Sequence, residues 1–363
     1  MNDILKPELI WIEGRCYRVN DPMTNITAFE EQDLYETEMP YNENDDEEDD
    51  DDDLDEITKV DNNRYFTSFH VSKHYLGSII GKKGATVSRI ERDTRTDIKI
   101  PRHGENKDIS IYGSNVSNVK AAKRRINMIV ISSRMKQKST HFISIPLNHP
   151  NIIKQFEHFK DNVLRDCSST GLEESLFIRG EKLHLTVGVM CLMDNEERLT
   201  ASKLLTEARE KCIMPLLNDY QPLQIRLKGL SYMNDDPKEI HVLYGCVEEV
   251  NAPSGLLQRV VDNIVSHFYK AGFMDKKYGR DNVKMHVTLL NSRYRGRQKG
   301  VDDEAISNQS KKRETFDGSE ILSKFADYDF GTTELNNIHL SQRKSMGPDG
   351  YYQSTCVISC KNK

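Results

Sequence analysis

The sequence predicts an α/β (α+β) chain: a small β-α-α-β-β-α domain, then a larger domain in which strands and helices alternate. Three observations carry this. The chain has 363 residues, enough for two domains with separate cores. Within residues 66–132 the hydrophobic period passes from two to 3.6 and back, as a complete small domain requires. From about Thr140 the same change of period repeats to the C-terminus.

In chain order, residues 8–19 form a short apolar island that holds the only tryptophan, Trp11. Such an island has too little surface to make a core. It either pairs back onto the chain or serves as a docking strand for a partner through Leu9, Ile10, Trp11 and Ile12. Residues 1–20 are therefore assigned as a partner-docking segment. Residues 21–62 follow as an acidic linker. Glu43 to Glu56 carries 12 acidic residues and no Lys or Arg, and a tract of this kind cannot bury apolar surface and is expected to be disordered.

The small domain, 63–135, opens with a strand over Phe66–Val71 and a helix over Lys73–Ile80. Gly81-Lys82-Lys83-Gly84 then leads into a helix from Ala85 to about Arg95. Strands follow at Asp97–Pro101 and Ile109–Tyr112, and a helix spans about 114–132. In the larger domain, 138–363, strands are expected at His141–Pro146, Lys182–Met190, Leu223–Leu230, Glu239–Val247, Val283–Leu290, Asn336–Leu340 and Ser354–Ser359. Helices are expected over 150–166, 195–217 and 254–271. Residues 293–313 are polar, basic and aperiodic, and read as a mobile loop with Arg293, Arg295, Arg297 and Lys299.

Composition narrows the function. The net charge of −6 is set by the acidic tract: the other 45 acidic residues face 51 basic ones, so the folded part is mildly basic. No apolar stretch approaches the roughly 18 residues of a membrane span, so no membrane partner is expected, and Met1-Asn2-Asp3-Ile4 does not open a secretory signal. The seven cysteines are odd in number and include no CxxC pair, which suggests reduced, buried thiols in cytosol or nucleus.

Two motifs carry chemistry. In the first, Gly81 and Gly84 flank two lysines between helices, where a tight turn lets a nucleic-acid backbone come close to helix N–H groups and to positive charge. Ile80, Gly81, Lys82, Lys83, Gly84 and Ile90 are the candidate RNA contacts; a turn that only scaffolds is the plainer alternative. The second is a short repeat: Leu183-His184-Leu185-Thr186-Val187 recurs as Met285-His286-Val287-Thr288-Leu289. On a strand, His184 and Thr186 share one face and the apolar residues share the other, and His286 and Thr288 do the same. Across a cleft, one neutral histidine can take a proton while the other, as imidazolium, gives one, and the threonine hydroxyls can hold the phosphate oxygens. Which histidine takes which role is open. A packed strand histidine is the plainer reading of either copy alone. Zinc ligation lacks a nearby Cys, Asp or Glu to complete a site, so no metal and no cofactor is expected.

Residues 66–132, through Ile79-Ile-Gly-Lys-Lys-Gly-Ala-Thr-Val-Ser-Arg-Ile90 and Thr96-Asp-Ile-Lys-Ile-Pro101, resemble a KH domain. That resemblance implies binding of about four nucleotides of single-stranded RNA or DNA. Residues 140–360, through the paired His-x-Thr, resemble the 2H phosphoesterase superfamily. This implies a bilobal domain of two similar α/β lobes with catalytic His184 and His286 and substrate-binding Thr186 and Thr288.

The fusion of the two, with Tyr232-Met-Asn-Asp-Asp-Pro237 and Ile338-His-Leu-Ser-Gln-Arg343, is similar to KH–phosphoesterase subunits of a transcription cointegrator complex. This implies a large helicase subunit and the other complex subunits as partners, with the N-terminal island as the docking site. It implies a nuclear location with some cytoplasmic presence. It further implies roles in transcription coactivation, DNA alkylation damage responses and ribosome-associated quality control. The function expected is an RNA phosphodiesterase subunit; a non-catalytic RNA adaptor, or a scaffold on the helicase, stands as the alternative.

Overall fold

A computed structural model describes residues 9–12, 15–18, 57–61, 64–102, 105, 107–275, 282–296 and 314–361. Most of the acidic linker and of the basic loop expected at 293–313 lies outside the described residues, as do the side chains of Leu9, Ile10, Trp11 and Ile12. Strand β1 (Leu9–Ile12) pairs antiparallel with β2 (Arg15–Arg18), so the backbone of the island folds onto its own neighbour.

The chain divides into two compact units, residues 1–71 with 77–130 and residues 72–76 with 131–363. The first contains an antiparallel sheet in the order β3-β4-β6-β5. Its strands are β3 (Thr58–Asp61), β4 (Arg64–Phe69), β5 (Thr96–Lys99) and β6 (Ile109–Gly113). Helices α1 (Lys73–Ile80), α2 (Ala85–Thr94) and α3 (Val116–Met135) complete the β-α-α-β-β-α order. Alternation along β6 buries Ile109 and Ile111 and leaves Ser110 and Tyr112 on the other face. Strand β3 corrects the linker boundary: the sequence up to residue 62 reads as tether, yet Thr58–Asp61 adds an edge strand. Thr58, Lys59 and Val60 are exposed, so this short strand has no buried apolar alternation to announce it.

The second unit is organised by one eight-stranded antiparallel sheet in the order β12-β9-β10-β11-β8-β7-β13-β14. One half holds β7 (His141–Pro146), β8 (His184–Met190), β13 (Asn337–Met346) and β14 (Tyr352–Ser359). The other holds β9 (Gln224–Tyr232), β10 (Val242–Glu249), β11 (Val287–Asn291) and β12 (Asp329–Glu334). The two lobes are thus halves of a single sheet, joined where β8 meets β11. Strand β12 and helix α8 (Ser319–Phe325) have no counterpart in the sequence reading.

Helix α4 (Pro150–Asp166) begins with His149 as N-cap and proline in its first turn, and buries Ile152, Phe156, Phe159 and Val163 at i, i+4, i+7 and i+11. It packs against β12 in the opposite half, while α7 (Leu256–Lys270) packs against β8 and β10. Helix α5 (Asn195–Ala208) packs on β14 and continues through a wider turn at Arg209–Ile213 into α6 (Met214–Leu217). The single helix expected over 195–217 is therefore interrupted.

Of the cysteines described, Cys167, Cys191 and Cys360 are buried and free, whereas Cys246 is exposed. Among the described residues no helix is long and apolar enough to cross a membrane.

Among the described residues of this unit, Arg134 and Glu197 form a buried ion pair. Arg134 Nη2 donates to Glu197 Oε1 at 2.7 Å, and Nη1 donates to the Gly272 carbonyl at 2.6 Å. The guanidinium lies 4.4 Å from the Phe273 ring centre, and the second Glu197 oxygen accepts from the Met193 N–H at 2.7 Å. Both side chains are nearly sealed from water, so removing one strands the other's charge in a poorly solvated site. Glu197→Ala should lower unfolding stability by about 3–5 kcal/mol, and Arg134→Met with Glu197→Leu by much less. Urea denaturation checks this; a loss below about 1 kcal/mol in the single variant contradicts it.

Candidate active site and nucleic-acid loop

Leu185 and Val287 are paired in the antiparallel β8–β11 register. Carried one residue each way, that register sets His184 across from Thr288 and Thr186 across from His286. Opposed residues on one face have Cβ atoms roughly 5 Å apart. The two His-x-Thr motifs therefore interlock diagonally, each histidine facing the other motif's threonine. The alternation expected from sequence holds. Leu183, Leu185, Val187, Val287 and Leu289 are buried, while His184, Thr186, His286 and Thr288 are half-buried on the opposite face.

Each imidazole is oriented by the same local device. His184 Nδ1 lies 2.7 Å from the Lys182 carbonyl, and His286 Nδ1 lies 2.8 Å from the Lys284 carbonyl. A carbonyl only accepts, so Nδ1 carries the proton in both rings and the Nε2 lone pair of each neutral ring is left for the cleft. The segment before His286 is held in turn by α7. Asp262 Oδ1 accepts from the Val283 N–H at 2.8 Å, and Gln258 Nε2 donates to the Val283 carbonyl at 2.9 Å.

The sequence reading missed two lysines and two tyrosines. Lys182 and Lys284 each stand two residues before a histidine, so the repeat is really Lys-apolar-His-apolar-Thr. Lys182 Nζ lies 5.3 Å from the Tyr352 ring centre, and that ring meets His184 edge-on at 5.4 Å. Lys284 Nζ lies 5.1 Å from the Tyr244 ring centre, which meets His286 at 5.6 Å. The lysines were visible in the repeat once it was extended upstream. The tyrosines, on β14 and β10, have no common sequence signal.

Burial pulls the His184 pKa down to about 4, helped by the neighbouring His286 and Lys182 charges and opposed by the carbonyl bond. His286 moves in the same direction, again chiefly by burial, with the Lys284 ammonium adding to it. Both rings are neutral in the free protein at pH 7. A cavity of about 610 Å³ opens beside Thr186 and His286 toward Gly188, Asn263 and Met274. Its size suits a nucleoside-sized group. Among the described residues no group of three His, Cys, Asp or Glu is placed to hold a metal ion.

His339 meets Tyr351 edge-on at 5.7 Å, and Arg343 Nη1 donates to the Ser139 carbonyl at 3.3 Å, which leaves both in structural work. Arg295 corrects the loop expected at 293–313: its guanidinium donates to the Gly171 and Thr315 carbonyls at 2.8 and 3.0 Å, so it is anchored there.

In the first unit, Gly81 has φ 68° and a Cβ there would lie 2.1 Å from Thr86 Oγ1, so only glycine fits. Gly84 has φ 83° and precedes α2, whose N-terminus has no side-chain cap and no acidic residue in its first turn. Lys82, Lys83 and Ile80 are exposed beside it. Ile90 is a correction: it is fully buried, so it supports the loop from the core and does not touch a ligand.

Comparison with known proteins agrees with this architecture. Residues 66–128 match the KH domain, and residues 139–359 match the AKAP7 2′5′ RNA ligase-like domain. A mouse (Mus musculus) protein, activating signal cointegrator 1 complex subunit 1, is 33% identical over 362 residues, which cover 97% of this chain and 98% of the relative.

The site generates one expectation that needs no substrate. In a histidine NMR titration of the ligand-free chain, His184 should stay neutral with Nδ1 protonated until pH approaches about 4; a midpoint near the ordinary 6.5 contradicts the burial argument. The two interlocked motifs, their carbonyl-bound imidazoles and the two matched regions together establish that this chain belongs to the AKAP7 2′5′ RNA ligase-like family, carried behind a KH domain.

Proposed function

We propose that this chain is an RNA phosphodiesterase subunit: the KH unit holds a single strand through its Gly-Lys-Lys-Gly loop, and the paired His-x-Thr site cleaves or trims a phosphodiester. The observation that carries the reading is the diagonal placement of two carbonyl-bound imidazoles and two hydroxyls on one sheet face. His184, the more strongly shifted ring, is the base, taking a proton through Nε2 from water or a ribose 2′-OH. His286, nearer its ordinary value, is protonated once the phosphate anion is bound and gives that proton to the leaving oxygen. Thr186 and Thr288 donate to the non-bridging oxygens. The adjoining cavity receives the nucleoside on the His286 side.

The relative's name extends the proposal to membership of a cointegrator complex. The sequence resemblance adds a helicase subunit docked on residues 9–12, a nuclear location with some cytoplasmic presence, and a part in transcription coactivation and alkylation damage responses. Linking the two modules raises the local concentration of strand at the cleft, so neither has to bind tightly alone.

The test is turnover of short single-stranded RNAs, some ending in 2′,3′-cyclic phosphate, with chelator present and product ends identified by mass. His184→Ala and His286→Ala should each lose about 10²–10⁴-fold, and Thr186→Ala about 10²-fold. RNA bound by the wild type without turnover would instead make the cleft a phosphate-reading pocket in an adaptor.

The pH profile of the same reaction has a definite sign. Because both free-enzyme pKa values are lowered, kcat/KM should rise as pH falls from 8 to below 6.5, since each step down enlarges the small protonated fraction of His286. It should fall again toward pH 4 as His184 protonates. A profile flat between pH 6 and 8 contradicts the assignment.

A further inference from the structure

The open face of the first unit's sheet carries a feature that the Gly-Lys-Lys-Gly loop does not use. Phe66 on β4 is paired with Tyr112 on β6, and Tyr112 with Asp97 on β5, so the three side chains share one face. The opposite face buries Thr67, Ile98 and Ile111. Phe66 and Tyr112 are half-buried, with ring centres 4.9 Å apart. Two exposed cations lean over the tyrosine: Arg64 Cζ at 4.9 Å and Lys99 Nζ at 4.8 Å from its centre. Arg92, paired with Asp93 at 3.3 Å, and Arg95 rim a shallow concavity beside it.

The acidic groups nearby offset little of this charge. Glu91 is engaged with the Ile98 N–H at 2.9 Å. Asp97 meets Arg64 at 3.4 Å in a pair about half exposed on both sides, an interaction worth at most about 1 kcal/mol.

We propose that this face is a second nucleic-acid surface, on which one base of a single-stranded RNA stacks on Tyr112 while Arg64, Lys99 and Arg95 take flanking phosphates. An aromatic ring ringed by flexible cations fits a ligand that has both a π face and an anionic backbone. An acidic peptide would use the cations and leave the ring idle. Helix α2 supplies continuity, since it starts at the glycine loop and ends at Arg95, about 15 Å further on for its ten residues. A strand clamped at Lys82 and Lys83 can follow α2 to the Tyr112 face. The inference rests on the reading of this unit as an RNA binder and lengthens its footprint.

The test measures affinity of the full chain for RNAs of four and ten nucleotides by fluorescence anisotropy over a salt series. Tyr112→Leu keeps apolar bulk without a π face, and Tyr112→Phe keeps the ring. Tyr112→Leu and Lys99→Ala should weaken the ten-nucleotide RNA about 5–10-fold and leave the four-nucleotide RNA unchanged. Tyr112→Phe should bind like the wild type. The salt slope for the longer RNA should flatten by about one in Lys99→Ala. Lys82→Ala with Lys83→Ala should weaken both lengths, which separates failure of the loop from failure of the sheet face. Equal affinity of Tyr112→Leu and wild type for the longer RNA would overturn the proposal. So would a wild-type dimer, seen by light scattering, that Tyr112→Leu dissociates, since the face would then be occupied by a second copy.

Discussion

The geometry of the candidate site depends on the backbone pairing of Leu185 with Val287 at the centre of the eight-stranded sheet. Residues 184 and 286 are about a hundred positions apart, His184 opening β8 and His286 directly preceding β11 in the other half of the domain. Only this register sets each histidine opposite the other motif's threonine. A slip of one residue would turn one motif's polar face into the core and bury its histidine among aliphatic side chains. The buried residues on the reverse of both strands resist such a slip. Leu185, Val187, Val287 and Leu289 are sealed from water and part of one continuous core. The core therefore fixes the geometry of the site as much as it stabilises the fold.

On that frame the two histidines receive equal orientation and unequal environments. Both are tied through Nδ1 to a carbonyl two residues back, so both offer Nε2. Both have a lysine and an edge-on tyrosine beside them, although the tyrosines come from strands that are not equivalent in the two halves. What differs is the solvation of the charged form. His184 is flanked by Phe142 as well as Tyr352 and is pulled down to about 4, and His286 stands beside the open cavity with a smaller shift. Acid and base roles arise when like groups are held in unlike surroundings. Binding a phosphate would raise the affinity of both rings for protons, and His286, with the smaller shift to overcome, would be protonated first.

Much of this was legible in the residues because local pattern and tertiary role coincide. The strand His141–Pro146 and the helix 150–166 appear where periodicity places them. The alternation in Leu183–Val187 named the face on which His184 and Thr186 stand. Other features were hidden for physical reasons. Strands β3 and β12 are short edge strands held largely by backbone pairing, and β12 buries only Phe330 of its six residues, too little alternation to announce a strand. Arg295 sits in a run of basic residues that reads as solvated loop, yet two backbone carbonyls and Glu173 hold it. Ile90 lies on α2 just after the glycine loop, and its side chain turns into the core. Tyr244 reaches His286 from the neighbouring strand, where it is paired with Thr288, and Tyr352 reaches His184 from β14, three strands away in the sheet; neither pairing is written in sequence spacing.

The most direct measurement of the central claim is a titration of the ligand-free chain with a nucleoside monophosphate, following the ring nitrogens of His184 and His286 together by NMR. A single phosphate shared by both motifs requires the two imidazoles to respond with one common midpoint at one ligand per chain, His286 gaining a proton and His184 shifting at Nε2. Response of only one ring, or two distinct midpoints, would mean that the histidines do not face a common phosphate and would contradict the account.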